Sequence, residues 1–272
     1  MPVSPAPTSR PPFDEVTLEY AVATYPDLSL ELVPEAGSSN ALATQRAKEG
    51  APDGLVVVVD HQTAGRGRLD RTWEAAPGAG VTFSLLVRPT VPDARWPWIP
   101  LLVGHTVAKA LTALGYDAKV KWPNDILLED LKVGGILVER VDTPSGPAAV
   151  IGVGINVTTT AEELPVETAT SLALAGAAAT PTRDDVLLGA VASIREGFDV
   201  WQTGGDAAHD RLRTSYLSYC ATVGRQVRAE LPGGGVLEGT AGDVDPDGRL
   251  VIETADGPAP VGAGDVVHVR PA

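Results

Sequence analysis

A single cysteine, Cys220, occurs in the 272 residues. Neither an intrachain disulfide nor a cysteine cage for zinc can be assembled from it, which suits a reducing compartment. No run of about 18 apolar residues is available to span a bilayer. The opening MPVSPAPTSRPPF has neither the basic start nor the apolar stretch of a signal peptide. These absences predict a soluble cytoplasmic protein with no membrane partner. Positive charge is scarce too: 21 Lys and Arg stand against 35 Asp and Glu, a formal net charge of −14. Such a surface repels polyanions, so no nucleic-acid partner is expected. The histidines His61, His105, His209 and His268 are scattered without metal-ligand spacing. A hydrolase elbow of the Gly-x-Ser-x-Gly type is missing as well.

What is present is a chain that is 44% hydrophobic and long enough to bury a sizeable core. Residues 1–15 are rich in proline and small side chains, and are expected to form a disordered lead-in. From residue 16 to 220, helical and strand periodicities are mixed. Leu28–Val33, Leu55–Asp60 and Val81–Val87 read as strands, with a helix over Ala41–Lys48 that Ser38 or Ser39 can cap and Gly50 can end. Pro100–Leu114, Arg183–Trp201 and Asp206–Tyr219 read as helices, and four further strands are expected between 118 and 157. Residues 221–272 change texture to short strands (224–230, 236–244, 250–254, 266–269) separated by turn sequences such as AspProAspGly (245–248) and AspGlyPro (256–258). The expectation is an α+β fold with a mixed, largely antiparallel sheet, followed by a small separate β-barrel.

Four stretches can carry chemistry. Gly65-Arg66-Gly67-Arg68-Leu69-Asp70-Arg71-Thr72-Trp73 sets three arginines within a glycine-rich loop. It reads equally as a solvated basic loop or as an anion cradle, since glycine lets backbone N–H groups approach an anion and each guanidinium offers a fork of donors. Lys121-Trp122-Pro123-Asn124-Asp125 ends a strand in a turn carrying an amide and a carboxylate. Lys132-Val133-Gly134-Gly135-Ile136-Leu137-Val138-Glu139 puts paired glycines at the start of an apolar strand, which signals a bulge or a close ligand approach. Gly152-Val153-Gly154-Ile155-Asn156-Val157 is an apolar strand with one amide, simplest as a satisfied structural asparagine.

In this order and spacing, GRGRLDRTW, KWPND, KVGGILVE and GVGINV resemble the motif set of biotin–protein ligases. GRQVRAELPGGGVLEGTA (224–241) is similar to their SH3-like C-terminal domain. The resemblance implies a class II synthetase-like, lipoate-ligase-like catalytic domain over 16–220 and an SH3-like barrel over 221–272. It also implies a reaction with ATP and Mg2+ in which biotin is adenylated and then transferred to a lysine of a carboxylase's biotin carrier domain. Bringing biotin's carboxylate to attack distance of the α-phosphate, about 3 to 3.5 Å, costs about 5 kcal/mol at an effective dielectric near 20. Uncompensated, that is about three decades of rate, so cations must converge there.

Carried over residue by residue, the catalytic set is Lys132, Arg66, Arg68 and Asp125. The biotin site is Ser38, Ser39, Asn40, Gln62, Gly65, Arg66, Arg68, Lys132 and Gly135. The ATP site is Arg68, Arg71, Trp73, Lys121, Asn124, Asp125, Lys132 and Asn156, with Asp125 and Asn156 as metal ligands. Lys132 would bridge the two anions, Asp125 is a candidate base toward the acceptor lysine, and the glycine-containing loop is expected to be disordered until ligand closes it. The proline-rich start leaves no room for a winged helix, so a monofunctional enzyme, monomeric or weakly dimeric, is expected. A lipoate or octanoyl ligase of the same fold and a noncatalytic biotin or nucleotide sensor are the competing readings.

Overall fold

A computed structural model describes residues 10–69, 71–176, 179–231, 234–262 and 264–268. Part of the expected lead-in is packed: Phe13 is buried, and the Arg183 guanidinium lies 4.1 Å from its ring centroid. Arg10 pairs with Glu163 at 2.5 Å. Helix α1, Glu15–Val22, follows directly, with the Asp14 side chain accepting from Thr17 N–H. One aromatic ring and two arginines thus anchor a segment whose composition alone suggests none of this. Residues 1–9 lie outside the described residues.

Next come β1 (Ser29–Ala36), α2 (Ser39–Lys48), β2 (Leu55–Gln62) and β3 (Gly80–Val87). A 3-10 turn over Asp93–Trp98 leads into α3 (Ile99–Ala113). The strands β4 (Ala118–Lys121), β5 (Asp125–Leu128), β6 (Leu131–Thr143) and β7 (Gly146–Asn156) complete a seven-stranded sheet of order β1-β2-β3-β7-β6-β5-β4. Only the β1–β2 pair is parallel, because α2 carries the chain back between them; the remaining pairs are antiparallel. The β-branched run in β2 divides by parity. Val56 and Val58 join the main core with Phe83 and Leu102, while Val57 and Val59 face Ala43 and Ala47 of α2 on the other side.

After the short α4 (Leu172–Ala175) come α5 (Arg183–Thr203), which opens on a Thr182–Asp185 capping box, and α6 (Gly205–Tyr219). The last strands are β8 (Gln226–Glu230), β9 (Val236–Val244), β10 (Leu250–Thr254), β11 (Gly257–Val261) and β12 (Asp265–His268), in the antiparallel order β11-β10-β9-β8-β12. Among the described residues no ladder joins β11 to β12, so the five strands form an antiparallel sheet that is not closed there. β11 was not expected as a strand; only AspGlyPro (256–258) was read there, as a turn. Pro258 and Pro260 mask it, and they are tolerated because the strand lies at the sheet edge. Val269, the expected end of the last strand, and residues 232–233 of the Pro-Gly-rich turn lie outside the described residues. No helix among those described is long and apolar enough to cross a membrane.

Candidate active site

The small sheet is bolted to the large one at the KWPND turn. Trp122 is fully buried; its indole donates to Gly248 O at 3.0 Å and its backbone N–H to Thr222 Oγ1 at 3.0 Å. Thr222 Oγ1 is also 3.0 Å from His268 Nε2. Burial, with Lys121 and Arg225 nearby, pulls the His268 pKa down to about 4, so the ring is neutral and Nε2 can accept the threonine proton.

Beside this junction opens a cleft with about 880 Å³ of space, continuous with solvent. Its walls include Ser38, Ser39, Asn40 and Gln62 at one end, the arginine loop and Trp73 above, and Lys121, Asn124, Asp125, Lys132 and Gly135 opposite. Among the described residues, five cationic side chains (Arg66, Arg68, Arg71, Lys121, Lys132) line it against two carboxylates (Asp125, Asp265). An acidic chain has therefore concentrated positive charge in one hollow.

The arginine loop forms a hairpin. Arg66 bridges Thr72, Gly67 N–H donates to Arg71 O at 2.7 Å, and Trp73 N–H donates to Gly65 O at 2.9 Å. Asp70 lies outside the described residues. A Cβ at Gly65 would stand 2.2 Å from Trp73 O, so glycine is what lets the neck close. Arg68 donates to Asn124 Oδ1 at 3.0 Å, with Gly264 O at 3.4 Å, and its burial lowers its pKa although the group stays cationic. Arg71 pairs with Asp265, whose hydrogen bond raises the arginine's pKa. Segment 264–266 of the small sheet thus forms part of the wall, which no reading of the sequence anticipated.

Lys132 reaches Asp125 at 2.6 Å through a β-bulge. Ile126 pairs with Gly134, but Leu127 then pairs with Lys132, leaving Val133 as the extra residue. In unbroken register Lys132 would sit opposite Leu128, on the other face; the bulge turns it to the face that Asp125 shares. Gly135 keeps the approach clear, since a Cβ there would meet Lys132 Nζ at 3.3 Å. The ammonium lies 6.0 Å from the Trp73 ring centroid.

At the other end, Ser38 is the N-cap of α2, yet its side chain makes no cap bond; Gln62 Oε1 accepts from Ser39 N–H at 2.7 Å instead. Asn40 is 3% exposed. Its Nδ2 donates to Leu137 O (3.2 Å) and Glu139 Oε2 (2.8 Å), and Ser84 Oγ donates to its Oδ1 at 2.5 Å.

Two carried-over residues are not on the cleft wall. Gly65 borders the groove outside the hairpin. Asn156 is buried and donates from Nδ2 to Thr170 O at 2.9 Å; Thr170 N–H in turn donates to Lys132 O at 2.8 Å. Asn156 thus braces the strand behind Lys132, as its structural reading suggested. Glu139, Asp265 and Thr82 were missed. For the first, the signal was a lone carboxylate closing an otherwise apolar strand; for the others there was none.

Residues 36–156 match the Biotin/lipoate A/B protein ligase family, and residues 222–269 match the Biotin protein ligase C terminal domain. The biotin–[acetyl-CoA-carboxylase] ligase of Mycobacterium tuberculosis is 38% identical over 269 residues, 96% of this chain and 97% of that protein. The chain belongs to the biotin protein ligase family. As a member it is an enzyme of the ligase class. Similar to it also is the bifunctional ligase/repressor BirA of Bacillus subtilis, 33% identical over 84% of this chain and 70% of that one. Among solved structures, the biotin protein ligase from Aquifex aeolicus in complex with biotin and ATP superposes with a TM-score of 0.74 at 26% identity, covering 89% of this chain and 99% of its own. The biotin protein ligase from Leishmania major in complex with biotinyl-5-AMP, at 22% identity and a TM-score of 0.59, shares the fold.

Proposed function

We propose that this ligase joins biotin and ATP into biotinyl-5′-AMP, releasing pyrophosphate, and then passes the biotinyl group to a lysine on the biotin carrier domain of an acyl-CoA carboxylase. The observation that carries this reading is the convergence of Arg66, Arg68, Arg71 and Lys132 on one cleft. Cations fixed around both anions lower the repulsion that otherwise blocks attack, and they are already oriented when charge develops.

In the first step a biotin carboxylate oxygen attacks the α-phosphorus and the bond to pyrophosphate breaks. Ser38, Ser39, Asn40, Gln62 and Gly135 form the biotin end, and Lys132 stands between carboxylate and phosphate. Arg68, Arg71, Trp73, Lys121 and Asn124 form the nucleotide end. In the second step the acceptor amine attacks the acyl carbon and AMP departs. Asp125 is the proposed base, since its carboxylate faces the cleft and an ammonium is no nucleophile.

The described residues contain no cluster of three metal-ligating side chains, so no all-protein cage exists for magnesium. They do fit an ion brought by ATP, which keeps its waters and takes one or two carboxylates. Asp125 would hold it; Asn156 does not face the cleft. Bound there, the ion would add charge neutralisation at the phosphates. Action in the cytoplasm, as a monomer or weak homodimer, completes the proposal.

Incubation with biotin, ATP, magnesium and an isolated carrier domain tests it: biotin-dependent pyrophosphate release and a biotinylated acceptor are expected, with lipoate giving neither. No pyrophosphate release with biotin, or equal turnover of lipoate, would overturn it.

A further inference from the structure

One carboxylate outside the proposed ligand set connects both halves of the biotin end. Glu139 Oε2 accepts from Asn40 Nδ2 at 2.8 Å and from Arg66 Nη2 at 2.9 Å. We propose that Glu139 is a positioning residue, holding the first arginine of the hairpin against the head of α2 so that loop and floor of the biotin end keep one geometry. The proposal rests on the biotin-ligase reading of the same cleft.

Three features separate this contact from an ordinary surface ion pair, which contributes little. The acceptor atom is shared with a buried amide that otherwise donates to Leu137 O. Asn40 is 3% exposed, accepts from Ser84, and lies over Gly152, where a Cβ would come 2.2 Å from Asn40 Oδ1. Both donors come from elements that line the cleft, whereas Glu139 itself borders the groove on the hairpin's outer side. It therefore acts through Arg66 and Asn40. Finally, Glu139 stands on β6 in the same alternating row as Gly135 and Leu137, on a strand paired along its length with β7. The hairpin is held by an isolated Arg66–Thr72 bridge whereas the strand is paired residue by residue, so the carboxylate refers the position of Arg66 to the sheet.

The test compares wild type, Glu139→Ala and Glu139→Gln in biotin-dependent pyrophosphate release and in retention of biotinyl-adenylate on gel filtration. Glu139→Ala is expected to raise the biotin KM about tenfold and shorten retention similarly, the effect of one lost charge-assisted hydrogen bond. Its kcat and ATP KM should change by less than about threefold. Glu139→Gln keeps an oxygen that accepts from Asn40, and should recover most of the loss. Should alanine not fold, Glu139→Met, equal in length but accepting from neither donor, replaces it. An unchanged biotin KM and retention would overturn the proposal, as would a fall in thermal midpoint and kcat with the biotin KM untouched. If wild type itself releases no pyrophosphate with biotin, the ligase reading fails first and takes this proposal with it.

Discussion

Trp73 occupies the space in which a side chain at Gly154 would stand: a Cβ there would lie 2.4 Å from Trp73 Cε2. Gly154→Ala is therefore expected to push the indole off β7 and destabilise the protein by about 1–3 kcal/mol, as overpacking does. Denaturant unfolding and tryptophan emission report both effects. Unaltered stability and emission would mean that the ring does not pack there.

In the proposed reaction Lys132 is the cation between the two anions. Lys132→Ala should lower biotin-dependent pyrophosphate release by on the order of a hundredfold or more, the usual effect of removing one preorganised electrostatic group. Adenylation at a near wild-type rate would remove Lys132 from its role.

Arg68 ties the hairpin to Asn124 and to the small sheet at Gly264. Arg68→Gly should loosen the lid over the adenylate and shorten its retention by about tenfold or more, given the strength of charge-assisted hydrogen bonds. Trapping of released intermediate by hydroxylamine measures it. Retention equal to wild type would show that the loop closes without this side chain.

Much of this was legible in the sequence where a pattern has one physical meaning. The β-branched run Val56–Val59 gave β2, Pro100 and Gly115 bracketed α3 within a residue or two, and the Gly134-Gly135 pair announced the bulge. The three arginines of the cleft were legible because charge clustered against the chain's own balance needs a reason, whereas Lys121 and Lys132 were drawn in only by the resemblance. Two kinds of feature were not legible. β11 looks like a turn, since proline in a strand is acceptable only at an edge, and edges are a property of the sheet. Asp265 carries no local signal at all; its meaning comes from Arg71, which only folding brings beside it.

Acid stability offers a further check. Burial pulls His105 and His268 from 6.5 to about 4, with Lys109 adding to the first and Lys121 and Arg225 to the second. A histidine kept neutral binds fewer protons folded than unfolded. Its contribution is complete above the ordinary value of 6.5 and is lost as pH falls from there through about 4. The thermal midpoint should drop by on the order of 5 °C across that window, and a His105→Gln/His268→Asn double variant should show a flatter slope. An identical slope in the variant would assign the loss to carboxylates.

The extra residue in β6 makes the chemistry a matter of odd and even. Val133 is anchored in the core, and the bulge that absorbs it keeps the neighbouring amine on the face that Asp125 shares. Were it removed, Lys132 would stand opposite Leu127 in plain register and still share the face of Asp125, so what the strand would lose is a core anchor. A one-residue deletion at that point is therefore expected to lower stability through the lost anchor while the lysine keeps its face, and substitution of Val133 by another apolar residue should leave both intact.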